Sequence, residues 1–143
     1  MDPLSISASI VGIITSGVQV SRGLKIFIDC VNDAPSSARR VLTELTGIHA
    51  CMHQLQGFLL GDEEAAKNRR SLIMMDQVVV VFTDCVLAFS ELEQTLASLQ
   101  TGEHMRVIDK LKWSSKETTI LRILARLQSS KTSLNLMLTI LTW

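Results

Sequence analysis

Apolar residues return every three or four positions through four long stretches of this chain, and little interrupts them. That period puts one greasy stripe on a helix and leaves the other face for water. Two prolines and seven glycines in 143 residues leave room for long, unbroken helices. The pattern therefore predicts an all-α fold. Four long helices pack as a roughly antiparallel bundle, with a short extra helix near residues 103–111. The length suits a single domain over residues 1–143.

The first predicted helix covers residues 4–31, with Ile6, Ile10, Ile13, Val20, Leu24 and Phe27 on one face. Asn32, Asp33 and Pro35 break it, and Asp33 is placed to cap the next helix. The second covers residues 35–60 on Ala38, Val41, Leu45, Ile48, Met52, Leu55 and Leu59, and Gly61 is a natural stop. The third covers residues 71–100, with Met75, Val79, Phe82, Val86, Phe89, Leu96 and Leu99 as its expected buried stripe, and Gly102 ends it. Within it, residues 78–81 are all valine and locally favour a strand. The longer helical period around them overrides that preference. The fourth covers residues 115–141 on Ile120, Leu124, Leu127, Leu134, Leu138 and Leu141. Lys131 falls on that stripe. Either its stem packs at the bundle edge while the ammonium reaches water, or it pairs with an acidic residue of another helix.

Chemistry is sparse. Fourteen basic and fourteen acidic residues balance, which argues against a nucleic-acid binder. Cys30, Cys51 and Cys85 are far apart in apolar surroundings and fit buried free thiols in a reducing compartment. His49 and His53 have the spacing of two metal ligands on one helix, but Ala50-Cys51-Met52 lies between them, without the glutamate of a metalloprotease motif. They read as solvated or core-edge histidines, and His104 stands alone. No phosphate loop, dinucleotide fingerprint or nucleophile elbow occurs. The run Asp62, Glu63, Glu64, then Lys67, Arg69 and Arg70 reads as a solvated loop, with weak attraction to acidic headgroups or nucleic acid as its functional alternative. No catalytic residue, metal or cofactor is expected.

The first helix carries the most information. Nothing charged lies between Asp2 and Arg22, a length close to the thickness of a bilayer core. Seven hydroxyl and amide residues dilute it, so it reads neither as a secretion signal nor as a constitutive span. Beside the bulky stripe runs a second one of mostly small residues: Ser5, Ser9, Gly12, Ser16, Gln19 and Gly23. Small stripes let helix backbones approach, above all in lipid. Periodicity by itself favours the buried first helix of a soluble bundle.

The opening Met1-Asp2-Pro3-Leu4-Ser5-Ile6-Ser7-Ala8-Ser9-Ile10-Val11-Gly12-Ile13 resembles the start of the fungal N-terminal domain of STAND proteins, the HeLo-like domain. Leu111-Lys112-Trp113 with Lys116-Glu117, and then the stretch from Leu127 to Leu136, resembles the last helix of that family. The resemblance covers essentially the whole chain. It implies an architecture similar to HeLo cell-death domains and to the executioner bundle of the mixed-lineage kinase-like pseudokinase. The implied role is programmed cell death in fungal self/non-self recognition (heterokaryon incompatibility, innate immunity). The domain is expected in the cytoplasm, ahead of nucleotide-binding or repeat domains in a longer receptor-like chain. On activation it oligomerises, moves to the plasma membrane and permeabilises it.

Carried onto this sequence, the membrane-inserting residues are Leu4, Ile6, Ile10, Val11, Ile13, Ile14 and Val18. Ser5, Ser9, Gly12, Ser16 and Gly23 serve helix association. Arg22, Lys25, Lys67, Arg69 and Arg70 are expected to meet headgroups, and the expected partners are anionic lipids and further copies of the chain. HeLo relatives with prion-forming tails carry an amyloid motif, and none is read in these residues. The rival expectation is a non-lytic interaction module.

Overall fold

The computed structural model describes residues 3–30, 34–60, 75–99 and 107–142. All but Ala34, Pro35 and Lys116 of these are helical, and no strand occurs among them. The helices are α1 (Pro3–Cys30), α2 (Ser36–Leu60), α3 (Met75–Leu99), α4 (Val107–Ser115) and α5 (Glu117–Thr142). Pro3 opens α1, where a missing N–H costs nothing. The Ala38 amide donates to the Pro35 carbonyl at 3.1 Å and closes the first turn of α2. Residues 78–81 are helical, as the surrounding period requires. Residues 61–74, Asp33, His104 and Gly102 lie outside the described residues.

Each long helix packs on two others: α1 on α2 and α3, and α5 on α2 and α3. Side-chain pairs give the directions. Ser37 meets Glu117, and Cys51 meets Asn135, so α2 and α5 run parallel. Gly17 lies against Phe89, and Gly23 against Leu96, so α1 and α3 also run parallel. Arg122 and Arg126 both reach Glu91, while Cys85 bonds Ser130, so α3 and α5 run antiparallel. Neighbouring pairs are thus not uniformly antiparallel, and the consecutive helices α2 and α3 do not touch among the described residues.

The core follows the predicted stripes closely in α1, α2 and α5. Ile10, Ile13, Val20, Leu24 and Phe27 of α1 are buried, as are Ala38, Val41, Leu45, Ile48, Met52 and Leu55 of α2 and Ile120, Leu124, Leu127, Leu134, Leu138 and Leu141 of α5. The stripe of α3 needs correction. Val79 and Val86 are 36% and 46% exposed, and Val78 and Cys85 are buried in their place. The valine run is apolar on every side, so periodicity alone does not choose which valine turns inward. Gly17 shows how closely α1 and α3 approach: an added Cβ would sit 3.3 Å from the Phe89 ring.

The short helix also differs from expectation. It continues to Ser115, and α5 starts only at Glu117. Trp113 explains the shift. Its side chain is fully buried and stacks on Phe27 with ring centroids 4.9 Å apart. Its indole N–H donates to Ser37 Oγ at 2.9 Å, and the Ser37 hydroxyl donates to Glu117 Oε2 at 3.1 Å. One side chain therefore ties α4 to α1 and α2, and through Ser37 to α5. Lys116 forms the single-residue turn, its amide donating to the Trp113 carbonyl at 2.9 Å. Glu117 then places a carboxylate on the positive end of α5.

Lys131 takes the ion pair. Its Nζ lies 2.6 Å from Oε2 of Glu44 on α2, and the two side chains are 31% and 12% exposed. The contact is close but not aligned as a hydrogen bond. The lysine stem crosses Gly47, whose missing side chain makes the room: an added Cβ would meet Lys131 Cδ at 2.9 Å. A stem-packing edge lysine with a free ammonium is therefore not what the fold uses.

Candidate functional site

The N-terminal half of α1 divides its apolar residues between two environments. Ile10 and Ile13 are core, Ile14 and Val18 are half-buried, and Val11 is 50% exposed. The side chains of Leu4, Ser5 and Ile6 lie outside the described ones. From Ala8 to Asp29 the helix is long and apolar enough to cross a membrane by length and composition, although only 28% of that window is buried in the fold. A core helix of a soluble protein usually hides most of such a stretch. Here Ile10, Ile13, Val20, Leu24 and Phe27 are buried, while the outward residues include Val11 and Ile26 together with Arg22, Lys25 and Asp29.

The small stripe does not sit at the centre of a helix contact. Ser9, Gly12 and Ser16 form one wall of an open groove of about 440 Å³ between α1 and α3. Ile13 and Phe82 line it too, and Val79, Thr83, Val86 and Leu87 of α3 form the opposite wall. Gly12 faces open space, with no heavy atom within 4 Å of an added Cβ. Gly23, further along the same stripe, contacts Leu96 instead. Gly17 makes the tightest approach to α3 although it lies off that stripe.

Among the described residues no charged side chain lines the groove. Thr83 donates its hydroxyl to the Val79 carbonyl of its own helix at 2.8 Å, so it offers no free donor to a ligand. The α3 wall was missed by periodicity, because Val79 and Val86 were counted into the core. The available signal was the unbroken valine run, which supplies more apolar faces than one helix contact can bury.

Arg22 and Lys25 are exposed on α1, beyond the groove. Lys67, Arg69 and Arg70 lie outside the described residues. His49 is half-buried and His53 exposed, their rings edge-on at 4.6 Å. Among the described residues no group of three His, Cys, Asp or Glu side chains is placed to hold a metal. Cys51 and Cys85 are buried free thiols. Burial pushes the Cys85 thiol up to about 11 against a partial offset from the Ser130 hydrogen bond. Burial also raises Cys51, with nearby Lys131 pulling the other way. Such thiols are poor nucleophiles. Comparison with family models, curated proteins and solved structures finds no match to this chain.

Proposed function

We propose that this chain is a HeLo-like, membrane-targeting effector domain, whose four long helices form a bundle that holds α1 in reserve. Activation frees α1, copies of the chain associate, and the uncharged segment up to Arg22 enters the bilayer. In a fungal receptor-like parent this damages the plasma membrane and kills the cell. Anionic lipids, other copies of the chain and the nucleotide-binding or repeat domains of the parent are its partners. The observation that carries the reading is the mismatch in α1: a stretch of spanning length, of which the fold buries only a minor part. The likeness of the opening and closing residues to the HeLo-like family supports the same direction.

A second reading, a non-lytic interaction module, has one observation in its favour. The α1/α3 groove is apolar and open, the form that receives a partner helix.

Release from dye-loaded anionic vesicles separates the two. Removing the first 21 residues is a poor probe, because it also removes Ile10, Ile13 and Val20 from the core. Gly12→Asp is cleaner. Position 12 is exposed with open space around it, and aspartate is no worse than glycine inside a helix. A charge there costs insertion about 2.5–3.5 kcal/mol on translocon scales. Leakage should fall roughly a hundredfold, at about 1.4 kcal/mol per decade, with the melting temperature unchanged. A fully lytic Gly12→Asp protein overturns insertion of α1. A wild-type protein that never leaks vesicles, even when cross-linked into oligomers, leaves the interaction module as the function.

A further inference from the structure

The five helices are not held alike. Among the described side chains of α4, Trp113 alone is buried, while Leu111 is 68% exposed and Ser114 and Ser115 are exposed. The helix lies beside α3 and α5, and among the described residues it reaches α1 and α2 through the Trp113 side chain. An element with one buried anchor opens at less cost than the whole bundle unfolds.

What that anchor covers is the end of α1. Phe27 is the last buried residue described on α1, and the indole stacks on its ring at 4.9 Å. The polar half of the contact separates cleanly. An indole N–H that leaves Ser37 finds water, and the Ser37 hydroxyl keeps Glu117 as its acceptor. Withdrawal of Trp113 therefore strands no buried donor. It costs the apolar contact of the two rings, and Phe27 carries its share of that loss onto α1.

The backbone has a place to turn. Lys116 is the one residue between α4 and α5 outside a helix. Its amide is shared between the Lys112 carbonyl at 3.2 Å and the Trp113 carbonyl at 2.9 Å, and its own carbonyl accepts from the Ile120 amide at 2.9 Å. Bonds of α spacing thus already cross the joint, mixed with one of the tighter 3₁₀ spacing, so small dihedral changes re-aim α4 without breaking the ladder.

We propose that α4 is a latch on α1. Docked, Trp113 holds the C-terminal end of α1 against the bundle. Movement of α4 about Lys116 withdraws the indole, uncovers Phe27 and loosens α1 from that end, while α2 stays packed on α5. This rests on the release of α1 proposed above and supplies the contact that gives way first.

The first test uses the native indole as its own probe. In a Trp143→Phe background Trp113 is the only tryptophan. Its emission should move to the red, and its quenching by acrylamide should rise, at urea concentrations that leave the helical circular dichroism intact. Coincident transitions by both signals overturn the latch. The second test compares Trp113→Ala with Leu127→Ala, a truncation of a fully buried side chain on α5. For Trp113→Ala, hydrogen exchange should accelerate about tenfold more in residues 20–30 than in α2 or the C-terminal half of α5. For Leu127→Ala it should accelerate evenly across the bundle. Trp113→Leu serves in place of an alanine variant that does not fold.

The same exchange profile in both variants would make Trp113 an ordinary core residue and overturns the proposal. Vesicle leakage keeps it separable from the insertion reading. Local opening without leakage from any variant supports the latch and removes insertion. Leakage by wild type with coincident urea transitions does the reverse.

Discussion

Lys131→Met should destabilise the fold even though it replaces a charge by an apolar side chain on a core stripe. The methionine keeps most of the stem that crosses Gly47, so packing changes little. What changes is Glu44, whose carboxylate is 12% exposed and loses the ammonium at 2.6 Å. Removing one partner of a fully buried pair costs about 3–5 kcal/mol. Lys131 is 31% exposed, so water screens part of this, and we expect about 1.5–3 kcal/mol. For a domain of this size that is a fall in melting temperature of roughly 4–10 °C. Replacing both residues, Glu44→Leu with Lys131→Met, removes the orphan charge and should return to within about 1 kcal/mol of wild type. Gly47→Ala tests the same contact from the other side. It gains about 1 kcal/mol of helix propensity but pushes the flexible lysine stem aside and loosens the pair, so its net gain should fall well short of that figure. Urea denaturation followed by circular dichroism measures wild type, these three variants and the Glu44→Leu single variant that closes the cycle. A cost for Lys131→Met below about 0.5 kcal/mol, with no coupling in the cycle, would refute the account of the pair as a structural element.

Three further outcomes are expected. Phe82→Ala and Leu127→Ala, both in the core, should each cost about 2–5 kcal/mol, and a loss below about 0.5 kcal/mol at both would mean the packing faces are misassigned. Trp113→Phe keeps the stack on Phe27 but leaves buried Ser37 without its indole donor, a loss of about 1–3 kcal/mol in the same denaturation assay that Ser37→Ala in the same chain should partly relieve. Cys85 should give the protein an alkaline weakness. Its folded pKa of about 11 lies above the ordinary 9.0, so its contribution is complete below pH 9 and is lost as pH rises toward 11. The loss is on the order of 2 kcal/mol. A Cys85→Ala protein whose melting temperature falls just as steeply across that range would exclude the thiol as the cause.

Much of the fold was legible because local and tertiary demands agree. In α1, α2 and α5 most large apolar residues fall on one face, so one period names both the helix and its buried side, although Val11, Ile26, Leu121 and Leu136 stay exposed. In α3 the valines of residues 78–81 surround the axis. Sequence then predicts a helix without saying which way it turns. The neighbours decide: Val78 and Cys85 turn inward, and Val79 and Val86 become a groove wall. The small stripe of α1 was visible as a pattern, but its use was not. Close approach belongs to Gly17 and Gly23, while Gly12 stays open.

The sequence by itself determined that the chain is helical, where each long helix runs, and that its first segment is uncharged over a membrane-sized length. These properties depend on residues within a few turns of one another, through hydrogen bonds and period. Tertiary structure alone decided the parallel pairing of α2 with α5 and of α1 with α3, the seating of Trp113 on Phe27 and Ser37, and the Glu44–Lys131 pair. Residues 44 and 131, or 37 and 113, become neighbours only when distant helices pack, and no local period records which distant side chain will fill a given gap.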